Sequence, residues 1–200
     1  MARRMAGLYA LPRCRHIPSQ GIEISARTRL DAAMPHTPDD LFAVLARLGI
    51  RTHTVEHEAA FTVEDGKRLH GASLPGVNVK NLFLKDAKDR LWLVSAPWER
   101  TIDLKTLPQR IGSKRLSFGS APLLMEVLGV IPGSVTPFAP INDKDKRVTV
   151  VLDAWMMRQE TLNAHPLVNT ATTNIASGDL LAFLRHVHGE PVLAELDAAL

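Results

Sequence analysis

The 200 residues, 46% hydrophobic and 22% charged, suffice for one domain with a substantial core plus a tail. No apolar run approaches the ~18 residues of a membrane span, and the single cysteine, Cys14, excludes a disulfide framework and a cysteine-based zinc site and fits a reducing, cytoplasmic setting. The net charge of +3 is uneven: residues 1–33 carry +4, 34–66 carry −4, 67–115 carry +7 and 116–200 carry −4. The basic middle suits a phosphate backbone, or else forms a solvated lysine-rich face.

Met1 to Ala33 has no apolar period and no continuous apolar stretch of the kind a secretory signal needs. It is expected to be a disordered or loosely attached basic tail, from an upstream start or with the composition of a transit peptide, and the domain is expected to span 34–200. Thr37 suits a helix N-cap, with Pro38 at the first position, Asp39 and Asp40 in the first turn, and Leu41, Val44, Leu45 and Leu48 as the buried stripe up to Gly49. Arg51 to Glu58 alternates as a strand, with His53, Val55 and His57 on one side. A second helix is expected from Thr62 to Gly71. Val77–Lys85 and Leu91–Ala96 read as a hairpin joined by Asp86–Arg90.

Further along, Asp103 is expected to cap a short helix through Arg110, and Lys114–Phe118 to form a short strand. Ser120 caps a helix containing Leu123, Leu124, Val127 and Leu128. Arg147–Met157 reads as a long central strand, and Thr161–Ala176 as one or two strands broken near Pro166. Ser177 is expected to cap a last helix, Asp179–His188, stopped by Gly189 and Pro191. Mixed strands with interspersed helices indicate an α/β (α+β mixed) domain around one curved mixed sheet.

Between the Ser120 helix and the long strand lies Gly129-Val-Ile-Pro-Gly-Ser-Val-Thr-Pro-Phe-Ala-Pro-Ile-Asn142. Its three prolines stiffen it, its glycines permit close approach, and its apolar residues allow partial burial. Such a loop can be a packed connection, or the wall of a small-molecule pocket whose working parts are backbone groups. Gly133-Ser-Val-Thr-Pro137 resembles the glycine-x-x-x-proline loop of the YbaK and prolyl-tRNA-synthetase-associated editing domains. Gly76-Val-Asn-Val-Lys-Asn-Leu-Phe-Leu-Lys85, Val148-Thr-Val-Val-Leu-Asp153 and His165-Pro-Leu-Val-Asn-Thr-Ala-Thr-Thr173 follow that family's order, and the match runs from about Pro38 to Pro191.

That resemblance is greatest to the freestanding deacylases that clear alanine from mischarged proline tRNA. It implies a partly closed sheet surrounded by helices and hydrolysis of Ala-tRNA(Pro) by positioned water, with no protein nucleophile, metal or cofactor. It places Lys80, Gly133 and His165 in the catalytic machinery, Asn81, Ser134, Pro137 and Asn169 in the substrate pocket, and Lys85 and Arg115 on the tRNA. A deacylase for cysteine or serine, and a non-catalytic tRNA- or synthetase-binding module, are the alternatives. Prolyl-tRNA synthetase and elongation factor are candidate transient partners, and neither DNA nor a membrane is expected.

Read without the resemblance, Lys80 between Val79 and Leu82 either snorkels out or meets an anion, and His165 before Pro166 is structural or functional. The remaining histidines complete no ligand set: His186 and His188 are two apart on a helix and do not share a face. Asp143–Lys146 lacks calcium-loop spacing, and no phosphate-binding glycine loop or hydrolase serine elbow is present.

Overall fold

The computed structural model describes residues 34–59 and 74–196. The tail 1–33 and the helix expected over Thr62–Gly71 lie outside the described residues.

Helix α1 (Pro38–Arg47) starts where the sequence places it, because Thr37 and Asp40 form a reciprocal capping box. Leu41, Val44 and Leu45 are buried and Gly49 ends the helix at φ 72°. Strands β1 (Thr52–Glu56), β2 (Val77–Asp86) and β3 (Leu91–Pro97) follow, with β2 and β3 forming the expected hairpin. Helix α2 (Leu107–Ile111) corrects one expectation. Asp103 does not cap it; its side chain accepts from Lys105 N and its carbonyl from Thr106 N and Leu107 N, so the residues before Leu107 form a separate turn.

Strand β4 (Leu116–Phe118) leads into α3 (Ala121–Leu128), which Ser120 caps through the Leu123 amide. A 3-10 turn (Ala139–Asn142) closes the loop after α3. Strand β5 (Val148–Asp153) is shorter than expected, because the buried Asp153 carboxylate accepts from Met156 N and a second 3-10 turn (Met156–Arg158) begins. Strands β6 (Thr161–Ala164) and β7 (Ala171–Ala176) flank the break at Pro166. Helix α4 (Ser177–Val187) begins earlier than expected. Ser177 is inside it and spends its hydroxyl on Gln159 O instead of capping. Strand β8 (Val192–Ala194) was not expected.

The strands form one mixed sheet in the order β1-β7-β6-β2-β3-β5-β8, with β4 also on β2. The fold is thus of the expected mixed α/β class. Strand β2 is its pivot. One flank pairs antiparallel with β3 from Val79 to Lys85; the other pairs parallel with β6 at Val77–Asn78 and antiparallel with β4 at Leu84–Asp86. Side chains alternate across a strand, so each side of the sheet receives every second residue. One side carries Val79, Phe83, Leu93, Val150, Leu152, Leu162 and Ile175, packed with α1, α3 and α4. The other carries Leu84, Trp92, Val94 and Val151, packed with Leu107 and Ile111 of α2.

Candidate active site

The loop after α3 is held at both ends and in the middle. Asn142 Nδ2 donates to Leu128 O at 2.9 Å, and Asn142 Oδ1 accepts from His36 N at 2.8 Å. Phe138 is fully buried and meets Phe183 of α4 edge-on, ring centroids 5.5 Å apart. Between these anchors Gly133 has φ 90°, a conformation that side chains with a Cβ rarely adopt, and Ser134 N donates to Ile131 O at 3.0 Å. Ser134, Thr136 and Pro137 are buried, whereas Ile131 and Pro132 are exposed. The loop is therefore a core-anchored connection with a fixed apex.

Asn81 ties that loop to β2. Its Nδ2 donates to Val135 O at 3.0 Å, and its Oδ1 accepts from Ser95 Oγ at 2.6 Å. Asn81 thus lies on the loop side of the sheet, and Lys80, one residue earlier, projects to the other side. There the Lys80 Nζ donates to Trp98 O at 3.0 Å and to Arg100 O. Both acceptors belong to the segment leaving β3, which Trp98 Nε1 also fastens through Val79 O at 3.1 Å. Arg100 in turn places its Nε 3.1 Å from the buried Asp153 Oδ2.

Register carries the Lys80 side of the sheet across to β6 and β7. Asn78 pairs with Asn163, and Asn163 with Asn174. Their side chains form a ladder: Asn174 Nδ2 donates to Asn163 Oδ1 at 2.7 Å, and Asn163 Nδ2 to Asn78 Oδ1 at 3.2 Å. Asn174 also donates to Pro75 O at 2.8 Å, fixing the chain just before Gly76. There φ is 101° and a Cβ would lie 2.3 Å from Thr161 Oγ1, so the close approach requires glycine. Two residues beyond Asn163, just past the end of β6, is His165.

The His165 Nδ1 lies 3.0 Å from Ala171 O. A carbonyl only accepts, so Nδ1 carries the proton and Nε2 presents a lone pair. Burial pushes the imidazole below its usual range; the Ala171 bond works against this and the nearby His57 ring, 6.2 Å away, adds to it. His57 is fixed beside it, with Nδ1 donating to Glu58 O at 2.6 Å and Nε2 lying 3.0 Å from Thr172 Oγ1.

The segment after His165 turns sharply. Leu167 N donates to His165 O at 3.0 Å, and Leu167 has φ 68°, uncommon for a residue with a side chain. Asn169, only 7% exposed, has no hydrogen-bond partner for its Nδ2 among the described residues.

Lys85 and Arg115 are elsewhere. Together with Asp86, Asp89 and Ser117 they line a surface recess at the far end of β2, about 17 Å of strand from Lys80. Lys85 is ion-paired with Asp89 at 2.6 Å. Asp86 anchors this end. Burial opposes its charge, but the amides of Lys88, Lys114 and Arg90 and the Arg90 guanidinium outweigh it and bring the carboxyl down to about 2.

The structure thus brings Lys80 and His165 to one side of the sheet, Asn81 and the Gly133–Pro137 loop to the other, and Lys85 and Arg115 to a separate recess. Sequence reading missed the asparagine ladder and the His57–Thr172 pair. The alternation of Asn163 with His165, and of Thr172 with Asn174, was a visible signal, but only register shows that these positions adjoin. Among the described residues, no group of three or more histidine, cysteine or acidic side chains is placed to hold a metal ion.

The chain and its mixed sheet have counterparts among known proteins. The profile of the aminoacyl-tRNA editing domain matches residues 57–183, and the chain belongs to this family. It is 39% identical over 160 residues to prolyl-tRNA synthetase associated domain-containing protein 1 of Danio rerio, covering 79% of this chain and 86% of that one. It is 38% identical over 141 residues to the prolyl-tRNA editing protein ProX of Acetoanaerobium sticklandii, covering 70% and 85%. The fold resembles a crystal structure of a candidate trans-editing enzyme for prolyl tRNA synthetase, with a TM-score of 0.63 at 18% identity, covering 84% of this chain and all of that one. No helix among the described residues is long and apolar enough to cross a membrane.

Proposed function

We propose that this chain is a trans-editing hydrolase that removes alanine from mischarged Ala-tRNA(Pro). The observation that carries the reading is Lys80 and His165 on one side of the sheet, the lysine held by two backbone carbonyls and the imidazole with Nε2 turned to accept. One relative named for prolyl-tRNA editing and another named as a prolyl-tRNA synthetase associated domain protein support the choice of tRNA.

The substrate is an ester that water can cleave. Water adds to the carbonyl carbon, the bond to the ribose oxygen breaks, and that oxygen leaves with a proton. Lys80 supplies a fixed positive charge near the 3′-terminal nucleotide, where it anchors phosphate or offsets developing oxyanion charge. His165, neutral at physiological pH, accepts a hydrogen bond at Nε2 from the water or the ribose hydroxyl and positions it. The buried, unpartnered amide of Asn169 is a donor for a substrate oxygen. Gly133, Ser134 and Pro137 lie across the sheet from Lys80 and His165, so their part is to brace β2 through the Asn81 bond to Val135 O, and the sieve that admits alanine and rejects the larger proline falls to the Lys80 side. Such a sieve is needed because a synthetase pocket separates side chains differing by about one methylene by only ~1–3 kcal/mol.

The reading places the protein in the cytoplasm, acting on tRNA released from, or in transit between, prolyl-tRNA synthetase and elongation factor. Purified protein incubated with a panel of mischarged tRNAs, following loss of the aminoacyl group, tests it. Rapid loss of alanine from tRNA(Pro) is expected. Preferential loss of cysteine or serine would replace the substrate, and loss from none would leave a binding module.

A further inference from the structure

Phe118 is the largest aromatic surface that the described residues leave outside the core. It is 66% exposed, although Leu116, two residues earlier on the same side of β4, is 7% exposed and packs with Leu84, Trp92 and Ile111. The backbone after it is fixed. Gly119 N donates to Phe83 O at 2.9 Å, and a Cβ on Gly119 would lie 2.4 Å from the Phe83 ring, so the chain is pressed flat onto β2. Ser120 then starts α3 at once.

Basic residues precede it in the chain. Lys114 and Arg115, both exposed, immediately precede β4, and neither side chain is in an ion pair among the described residues. Phe118 pairs with Leu84, so it projects to the same side of the sheet as Lys80, four residues along β2 or about 13 Å away. An exposed ring on a fixed backbone, with basic residues just before it and Lys80 along the same side, fits a base of a single-stranded nucleic acid, because every base has a face to stack and the cations follow its backbone.

We propose that Phe118 is the stacking platform for an unpaired base near the 3′ end of the tRNA, a few nucleotides from the aminoacylated terminus at Lys80. This rests on the deacylase reading for the identity of the nucleic acid, but the contact is a separate one. It makes Phe118 a binding residue that sets affinity and reach, with no part in bond breaking.

The test uses the full chain, tRNA(Pro) carrying 2-aminopurine in turn at each unpaired 3′ position, and the variants Phe118→Ala, Phe118→Leu and Phe118→Tyr, each checked for folding by circular dichroism. One probe position should be quenched by wild type and by Phe118→Tyr, and not by Phe118→Ala. The Ala and Leu variants should lose about tenfold in tRNA affinity, and the Tyr variant should retain it. Single-turnover deacylation of Ala-tRNA(Pro) at protein concentrations below saturation should fall about tenfold in the Ala and Leu variants, in step with affinity, and hold in the Tyr variant. Unchanged affinity in Phe118→Ala, or Leu performing as well as Phe, would overturn the inference. So would affinity for prolyl-tRNA synthetase falling while tRNA affinity holds, since the ring would then be a protein contact. If wild type itself failed to deacylate the alanyl ester, the functional reading would fall, and the quenching result would still judge the stacking.

Discussion

The side of the sheet that carries Lys80 is built in two unlike halves. Over β2, β3 and β5 it is dry: Leu84, Trp92, Val94, Ala96 and Val151 close against Leu107 and Ile111. Over β6, β7 and the residue after β6 it carries Asn163, Thr172 and Asn174, linked to Asn78 and His57 by side-chain hydrogen bonds, and His165, bonded to Ala171 O. Lys80 sits on the shared strand, opposite Ala96 of the dry half and two residues from Asn78 of the polar one. One half secures the fold through area removed from water. The other holds polar groups in fixed directions, stable only because each is partnered. A charged side chain at that border is anchored by a rigid neighbour and directed toward a polar one.

The sharpest way to break the contrast is Lys80→Ala. Deacylation of Ala-tRNA(Pro) should fall about 10²- to 10³-fold, the range for removing one group that stabilises transition-state charge. Circular dichroism should be unchanged, and a wild-type rate in the folded variant would remove Lys80 from the chemistry. The two halves should then fail differently. Leu84→Ala, at a fully buried site, should cost about 2–5 kcal/mol in urea unfolding while the folded fraction keeps its turnover. Asn163→Ala should cost less, about 1–3 kcal/mol, because it orphans its ladder partners, and should also lower turnover. Equal turnover losses in both variants would erase the distinction.

A smaller effect comes from His165. Its folded-state pKa lies below the ordinary value of 6.5, so the unfolded chain takes up this proton first as pH falls. The neutral ring's contribution to stability is therefore complete above about 6.5 and is lost as pH drops from there toward the folded-state value. Urea unfolding across that window should slope less in His165→Gln than in wild type. An identical slope would mean that the ring is not held neutral. The smallest expected effect is at the far end of β2. Neutralising Lys85 and Arg115 together should reduce the salt dependence of tRNA binding by about one unit of slope per lost phosphate contact. Because Lys85 is partly satisfied by Asp89, Arg115 should contribute more of the change.

What the sequence made legible was local. Thr37 and Ser120 announce helix starts because a cap bonds within three residues, and the β2–β3 hairpin follows from two apolar runs around a charged turn. Asp103 and Ser177 looked equivalent but were not, since nearby backbone and Gln159 O claimed their polar atoms. Strand β8 was invisible as three residues after Pro191, and it exists because β5 offers it a parallel edge. The candidate residues could be named one at a time from motifs. Their grouping could not, because whether Lys80 shares a side with His165 or with Asn81 depends on alternation along β2 and on a parallel pairing with residues about 85 positions away.

The edge-on contact of Phe138 with Phe183 joins the glycine–proline loop to the body of the protein. A wall whose central aromatic is part of the core cannot swing open without releasing that core, so its local opening is linked to unfolding on a much larger scale. Through the Asn81 bond to Val135 O the same anchor reaches β2, so the strand that carries Lys80 is braced from the far side of the sheet by two phenylalanine rings.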